Sequence, residues 1–399
     1  MKAEAKGLKF LSMEGKVKIP FFQRTYVWSE ENWEQLISEL LRSESNSNFL
    51  GAIILKQIPT NSGEAKQLEV IDGQQRLTTL SILLKALYDT LPDDIKRNCE
   101  GDVLSIIRYR RDYSSDVNEL RIEHSQVDQQ AYNKVFNDSL DIDNINSNSH
   151  LILQCYKYFL NRFKEITDED KKKILNKLLN PDNKMLVVID LNENDDEQII
   201  FDTLNSAGVR LTAAEIIKNA IFKRAIELSN KEKAIELYNK TWKESFLKDE
   251  ETVSYWETER TTGRLKRNNI EILLHCIGVI EDFFDPDKHS LSDLSKLYKQ
   301  RLYQIKSFDE IKTFVEEIVN YANIYKNKII SFDKSYLLSF DNSITRLLHI
   351  LEELEISTFH PFILSIFKKY QDENQVIEIL FKLEKFVVLN MIAKIESTR

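Results

Sequence analysis

The stretch Glu69-Val70-Ile71-Asp72-Gly73-Gln74-Gln75-Arg76-Leu77-Thr78-Thr79-Leu80 decides how this chain is read. Residues 67–71 (QLEVI) form an apolar strand pattern, and Asp72-Gly73 is a turn signal. Leu77, Leu80, Leu83, Leu84, Leu87 and Tyr88 then recur at helical spacing over 76–90. A strand-to-helix joint needs a turn and a cap, not two glutamines and an arginine. Free backbone N–H groups and the helix dipole favour an anion at such an N-terminus. Arg76 can fork onto phosphate oxygens. Gly73 can take positive φ and let a ligand approach the backbone. Asp72 suits a metal-bound or attacking water, and Gln74 and Gln75 suit reading a base or placing that water. These residues are expected to form a phosphate or nucleotide site. Asp72, Gln74, Gln75 and Arg76 would be catalytic, with Gly73 and Thr78 as nucleotide contacts. A capped strand–turn–helix joint with solvated glutamines accounts for the same residues, and residue types alone leave both readings open.

Upstream, residues 17–28 (VKIPFFQRTYVW) read as an extended segment around Pro20. Phe21, Phe22 and Trp28 are expected in the core. Gln23, Arg24 and Tyr26 are candidate nucleotide contacts, because a buried arginine without a partner is costly. Ser29 is a good N-cap for the next helix, which carries Trp33, Leu36, Ile37, Leu40 and Leu41 on one face. Residues 49–58 and 185–190 read as buried strands. The first should pair with 67–71 in a hairpin closed by a long loop.

Downstream, Phe201-Asp202-Thr203-Leu204-Asn205-Ser206-Ala207-Gly208 leads into Thr212-Ala213-Ala214-Glu215, a T-x-x-E capping box for a helix over 212–229. Capping explains Gly208, Thr212 and Glu215. It does not explain Asn205, Lys218 and Asn219. With Gly208, these three are candidate nucleotide contacts.

The chain has 399 residues with 42% hydrophobic and 30% charged, only nine glycines and six prolines, and a net charge of −9. That composition favours a mostly helical protein and argues against coating nucleic acid by bulk charge. Cys99, Cys155 and Cys276 have no metal-ligand spacing and read as reduced, buried thiols. No signal sequence or membrane span is seen, so a cytoplasmic location is expected. Residues 92–150 are polar, with short helical stretches near 101–110 and 126–136. The run 138–149 is the best linker signal. From 231 onward the pattern is helical, interrupted by a polar loop over 251–269. Its Arg260, Arg264, Lys266 and Arg267 are candidate DNA contacts, although a solvated loop is the preferred reading. No Walker loop, zinc motif or nucleophile elbow is present. The six histidines are isolated and read as structural or exposed.

Taken in order, these blocks resemble the N-terminal domain of the GmrS/GmrSD group, or DGQQR family. The residues that match are Ile19-Pro20, Gln23-Arg24, Tyr26 and Trp28; Phe49-Leu50-Gly51; Val70 to Leu80; and Phe201, Leu204, Asn205, Gly208, Leu211, Glu215, Ile217, Lys218 and Asn219. The resemblance covers residues 8–225. It implies a ParB/sulfiredoxin-like α+β domain that binds and hydrolyses nucleoside triphosphates, followed by a mostly helical domain, so that the chain is predominantly α. Residues 1–140 would be the nucleotide domain, 141–230 a segment completing the cleft, and 231–399 the helical domain. It further implies a role in type IV, modification-dependent restriction of modified phage DNA, with an HNH-type nuclease domain or partner. Two positions depart from the family pattern: Ala207 stands where a basic residue often precedes the glycine, and Glu215 replaces the commoner aspartate.

No nuclease motif occurs before Arg399, so this chain alone is not expected to cut DNA. Triphosphate would bind at the N-terminus of helix 76–90, clamped by Arg76 and Arg24, with Asp72 serving Mg²⁺ or water. Two other readings stay open: a DNA-binding module without turnover, and a metal-dependent nuclease built on the Asp72 block. Homo-oligomerisation is left open.

Overall fold

The computed structural model describes residues 2–42, 49–60, 65–110, 118–137, 140–191, 212–262, 265–329 and 343–393. The chain divides into two compact units, Met1–Arg210 and Leu211–Arg399.

The first unit is built on a mixed sheet. Strands β1 (Lys2–Lys6), β2 (Lys16–Lys18), β3 (Gly51–Ile58), β4 (Gln67–Asp72), β7 (Ile122–Glu123) and β8 (Leu186–Leu191) lie in the order β1-β8-β3-β4-β2-β7. β3 pairs antiparallel with β4 and parallel with β8. β2 lies parallel to both β4 and β7. A short ribbon joins β5 (Arg108–Arg110) to β6 (Asn118–Leu120). The central strands are apolar on both faces, as burial on both sides demands: Ile53, Ile54, Leu55, Leu186, Val188 and Ile189 are all buried.

Around the sheet run α1 (Glu30–Leu41), α2 (Gln74–Asp89), α3 (Asp93–Ile107), α4 (Gln126–Val135), α5 (Leu151–Glu165) and α6 (Asp168–Leu179). α1 starts where expected: Asn32 Oδ1 accepts the Ser29 N–H at 3.1 Å, and Trp33, Leu36, Ile37 and Leu40 are buried. α2 is apolar nearly all round and packs as a central helix against α5. Leu77, Leu80, Ile82, Leu83, Leu84, Ala86 and Leu87 expose nothing to solvent.

The expected strands at 49–58, 67–71 and 185–190 are present, and the first two do pair. The extended reading of 17–28 holds only at its start. Pro20 cannot donate to a ladder, and the Gln23 N–H closes a turn onto the Pro20 carbonyl at 3.1 Å. The helix expected near 101–110 starts earlier, at Asp93, and gives way to β5 at Arg108.

The second unit is helical, from Ala213–Leu228 to Glu373–Ile392, around Phe222, Trp242, Phe246, Trp256, Tyr298 and Tyr325. The polar loop expected at 251–269 is instead a helix (Glu250–Glu257) followed by the hairpin β9 (Glu259–Thr262) and β10 (Leu265–Asn268). Among the described residues no helix is long and apolar enough to cross a membrane. The three cysteines are free and buried.

Candidate functional site

β4 ends on Asp72, and Gly73 turns the chain into α2 with φ +89° and ψ 12°. A side chain on Gly73 would be strained in that left-handed conformation, and its Cβ would meet the Ala52 carbonyl oxygen at 2.9 Å. The first intrahelical bond runs from the Leu77 N–H to the Gly73 carbonyl at 2.9 Å. The N–H groups of Gln74, Gln75 and Arg76 therefore form the open first turn, and no hydrogen bond among the described residues engages them.

The glutamines act on the main chain. Gln75 accepts the Val27 N–H through Oε1 at 2.8 Å and donates through Nε2 to the Thr25 carbonyl at 3.0 Å. Gln74 Nε2 donates to the Arg24 carbonyl at 3.2 Å. Gln23 reaches the opposite way, its Nε2 donating to the Val70 carbonyl at 2.7 Å. Three side-chain amides thus staple residues 23–27 across the start of α2. This corrects the expectation that Gln75 is free to read a base or place a water: both atoms of its amide are taken. Gln74 Oε1 is buried without a partner among the described residues.

Beside the open turn lies Arg76, and Arg24 is near enough for its charge to act on Asp72. Arg76 donates from Nη1 to the Ala52 carbonyl at 2.9 Å and lies 5.9 Å from the centre of the Trp28 ring. Its Nε is buried and has no hydrogen-bond partner among the described residues. It rests on Gly51, whose φ is +114° and where a Cβ would come within 2.4 Å of the guanidinium carbon. Burial lowers the Arg76 pKa, against the opposing charges of Asp72 and Glu39. Among the described residues no hydrogen bond or ion pair engages the Arg24 guanidinium. Burial raises the Asp72 carboxyl, opposed by the Gly73 N–H and then by Arg76 and Arg24. Neither arginine closes an ion pair with it.

Tyr26 and Thr78, expected at the nucleotide, are instead buried. The Tyr26 hydroxyl shares a hydrogen bond with Thr79 Oγ1 at 2.6 Å and accepts from Trp33 Nε1 at 2.8 Å. Thr78 Oγ1 shares one with His124 Nε2 at 3.1 Å. They belong to a polar layer beneath the joint that sequence reasoning missed. Its centre is Asp128, 2% exposed, whose Oδ2 accepts the Tyr26 N–H at 3.0 Å and the Ser125 hydroxyl at 3.3 Å. His150 Nε2 stands 3.1 Å from Asp128 Oδ1, within ion-pair range but not aligned as a hydrogen bond. Burial lowers the His124 pKa to about 4, so the ring is neutral at pH 7. The spacing His124-x-x-x-Asp128 was the available signal. It is weak, because the histidine's other partner comes from a distant helix.

Asn205, Gly208 and Arg264 lie outside the described residues. Lys218 and Asn219 sit on helix Ala213–Leu228 of the second unit, behind the expected capping box: the Thr212 N–H reaches Glu215 Oε2 at 2.9 Å and the Glu215 N–H reaches Thr212 Oγ1 at 3.2 Å. Of the basic cluster, Arg260 is committed to Glu352 and Asn269, both at 2.8 Å. Arg267 is half-buried, which lowers its pKa, and Lys266 is exposed.

The described residues hold no cluster of three or more histidine, cysteine or carboxylate groups placed for a metal. Asp72 alone, beside two guanidiniums, does not make a resident metal site. Chemically, the joint can hold an anion against the first turn of α2.

This chain belongs to the family of the GmrSD restriction endonuclease N-terminal domain, whose sequence model matches residues 8–222, more than half its length. It is also similar to the Uncharacterized protein MJ0686 of Methanocaldococcus jannaschii, with 24% identity over 241 residues. The match covers 53% of this chain and 40% of that relative.

Proposed function

We propose that the protein binds and hydrolyses a nucleoside triphosphate at the β4–α2 joint. It would serve as the sensor subunit of a modification-dependent, type IV anti-phage system, on a ParB-like first domain and with an HNH-type nuclease domain or partner. The observation that carries this reading is the set of unused donors around one turn: the N–H groups of Gln74, Gln75 and Arg76, the buried Arg76 Nε and the unengaged Arg24 guanidinium.

In this reading the phosphates fill those donors. Phosphoryl transfer is mostly positioning and charge neutralisation, which two guanidiniums and an open helix turn supply. A Mg²⁺ arriving with the triphosphate would add to that charge neutralisation. Asp72, raised by burial, accepts a proton from the attacking water better than a solvated carboxylate would. Gln23, Gln74 and Gln75 are positioning residues that fix Arg24 over the turn.

Titration calorimetry of the purified chain with ATP, GTP, CTP and UTP, alongside phosphate release, tests the reading. Saturable binding of at least one triphosphate, weakened at least tenfold by Arg24→Ala, is expected. Lack of binding to all four would end it.

A further inference from the structure

At the other end of the sheet lies a second feature. A cleft of about 580 Å³ opens where β2 and β4 begin, lined in part by Ser12, Lys66, Ser105, Arg108, Arg110 and Arg121. β2 and β4 run parallel with Lys16 opposite Gln67, so both strands enter the sheet here. Asp72 lies five residues further along β4, roughly 17 Å away at ~3.3 Å per residue. The cleft is therefore separate from the β4–α2 joint.

Its charge is unlike that of the whole protein. In a chain of net charge −9, the described residues that line it include four cations and one carboxylate, Glu14, which is paired with Lys66 at 2.8 Å. The two inner arginines are held by main-chain carbonyls rather than by carboxylates. Arg121, 2% exposed, gives Nε to Ile106 at 2.9 Å, Nη1 to Gly15 at 2.9 Å, and Nη2 to Ser105 and Arg108, both at 2.6 Å. Arg108 Nη1 donates to the Asn118 carbonyl at 3.0 Å. Carbonyls satisfy the donors and fix the geometry, and Arg121 also suits the C-terminal end of α3. They carry no net charge, and Glu14 offsets part of the positive charge of Arg121. Arg110 is exposed at the rim. Helix capping accounts for Arg121 alone; it does not account for Lys66, Arg108 and Arg110 converging on the same space.

We propose that this cleft binds the phosphodiester backbone of a DNA strand, holding the substrate on the first unit independently of the triphosphate. The site rests on the reading that the protein acts on DNA. It does not depend on turnover at Asp72. Contacts of this kind position DNA without reading sequence, so the site would take modified and unmodified DNA alike.

The test is fluorescence anisotropy of the full chain with short labelled duplexes, modified and unmodified, over a series of salt concentrations. Wild type is compared with Arg108→Ala/Arg110→Ala, with the charge reversal Arg110→Glu at the exposed rim, and with Arg76→Ala. Tenfold or greater weakening is expected for both cleft variants on both duplexes. The salt slope should fall by roughly 0.9 per lost phosphate contact. Triphosphate turnover should be unchanged in Arg110→Glu, and DNA binding unchanged in Arg76→Ala. Wild-type affinity in Arg110→Glu, or full displacement of DNA by inorganic phosphate at constant ionic strength, would overturn the proposal. So would an absence of DNA binding by the wild type, whatever the turnover assay shows.

Discussion

The guanidinium of Arg76 lies directly on the α-carbon of Gly51: a single added carbon at Gly51 would stand 2.4 Å from Cζ and 2.7 Å from Nε. Two motifs separated by a strand and a loop are thus one piece of structure. The glycine is missing a side chain because the arginine occupies its place.

Gly51→Ala should therefore act through Arg76. The left-handed φ of +114° costs an alanine roughly 1–2 kcal/mol, visible as a lower thermal midpoint, and the arginine must also move. Triphosphate turnover should fall about as far as in Arg76→Ala, and the double variant should be little worse than either single one. Independent, additive losses would show that Gly51 does not work by placing Arg76.

Gln75→Leu keeps the volume but strands the Val27 N–H and the Thr25 carbonyl. Two groups left unpaired cost roughly 1–3 kcal/mol each when fully buried. Hydrogen exchange at the Val27 amide should accelerate markedly, while amides in the middle of α2 stay protected. An unchanged Val27 rate would mean that the glutamine staple does not hold segment 23–27.

The centre of this site was readable because its signals are local: Asp72-Gly73 and the leucine period of α2 lie in one continuous stretch of chain. What the glutamines do was not readable. Gln75 reaches Val27 and Thr25 across 48 and 50 residues of sequence, with β3 and β4 between them. Strands of two to four residues such as β7 and β9 carry too few positions for an alternating pattern, so they were read as loops, and β5 was read as the end of a helix. His124 and His150 looked isolated for the same reason: Asp128 joins them only in three dimensions.

That polar layer sets a pH dependence. His124 has a folded pKa of about 4 against 6.5 for a free side chain, so above pH 6.5 both folded and unfolded states keep it neutral. As pH falls, the unfolded chain takes the proton first. Stability is lost between pH 6.5 and about 4, by up to about 3 kcal/mol from this ring. His275 and His360 in the second unit are likewise lowered to about 4 by burial and add losses of the same sign. Urea unfolding across this window should show a shallower fall for His124→Gln than for the wild type, whatever its absolute stability. Parallel curves would contradict a neutral buried His124.

The most direct measurement is phosphate release from triphosphate and Mg²⁺ by the purified chain, wild type against Arg76→Ala, with folding of both checked by circular dichroism. Turnover by the wild type with at least a ~100-fold loss in the variant is the expected result, in keeping with the removal of a charge-stabilising group at a reacting phosphate. Equal rates in the two proteins, or no turnover in the wild type with any triphosphate, would contradict the assignment of hydrolysis to the β4–α2 joint.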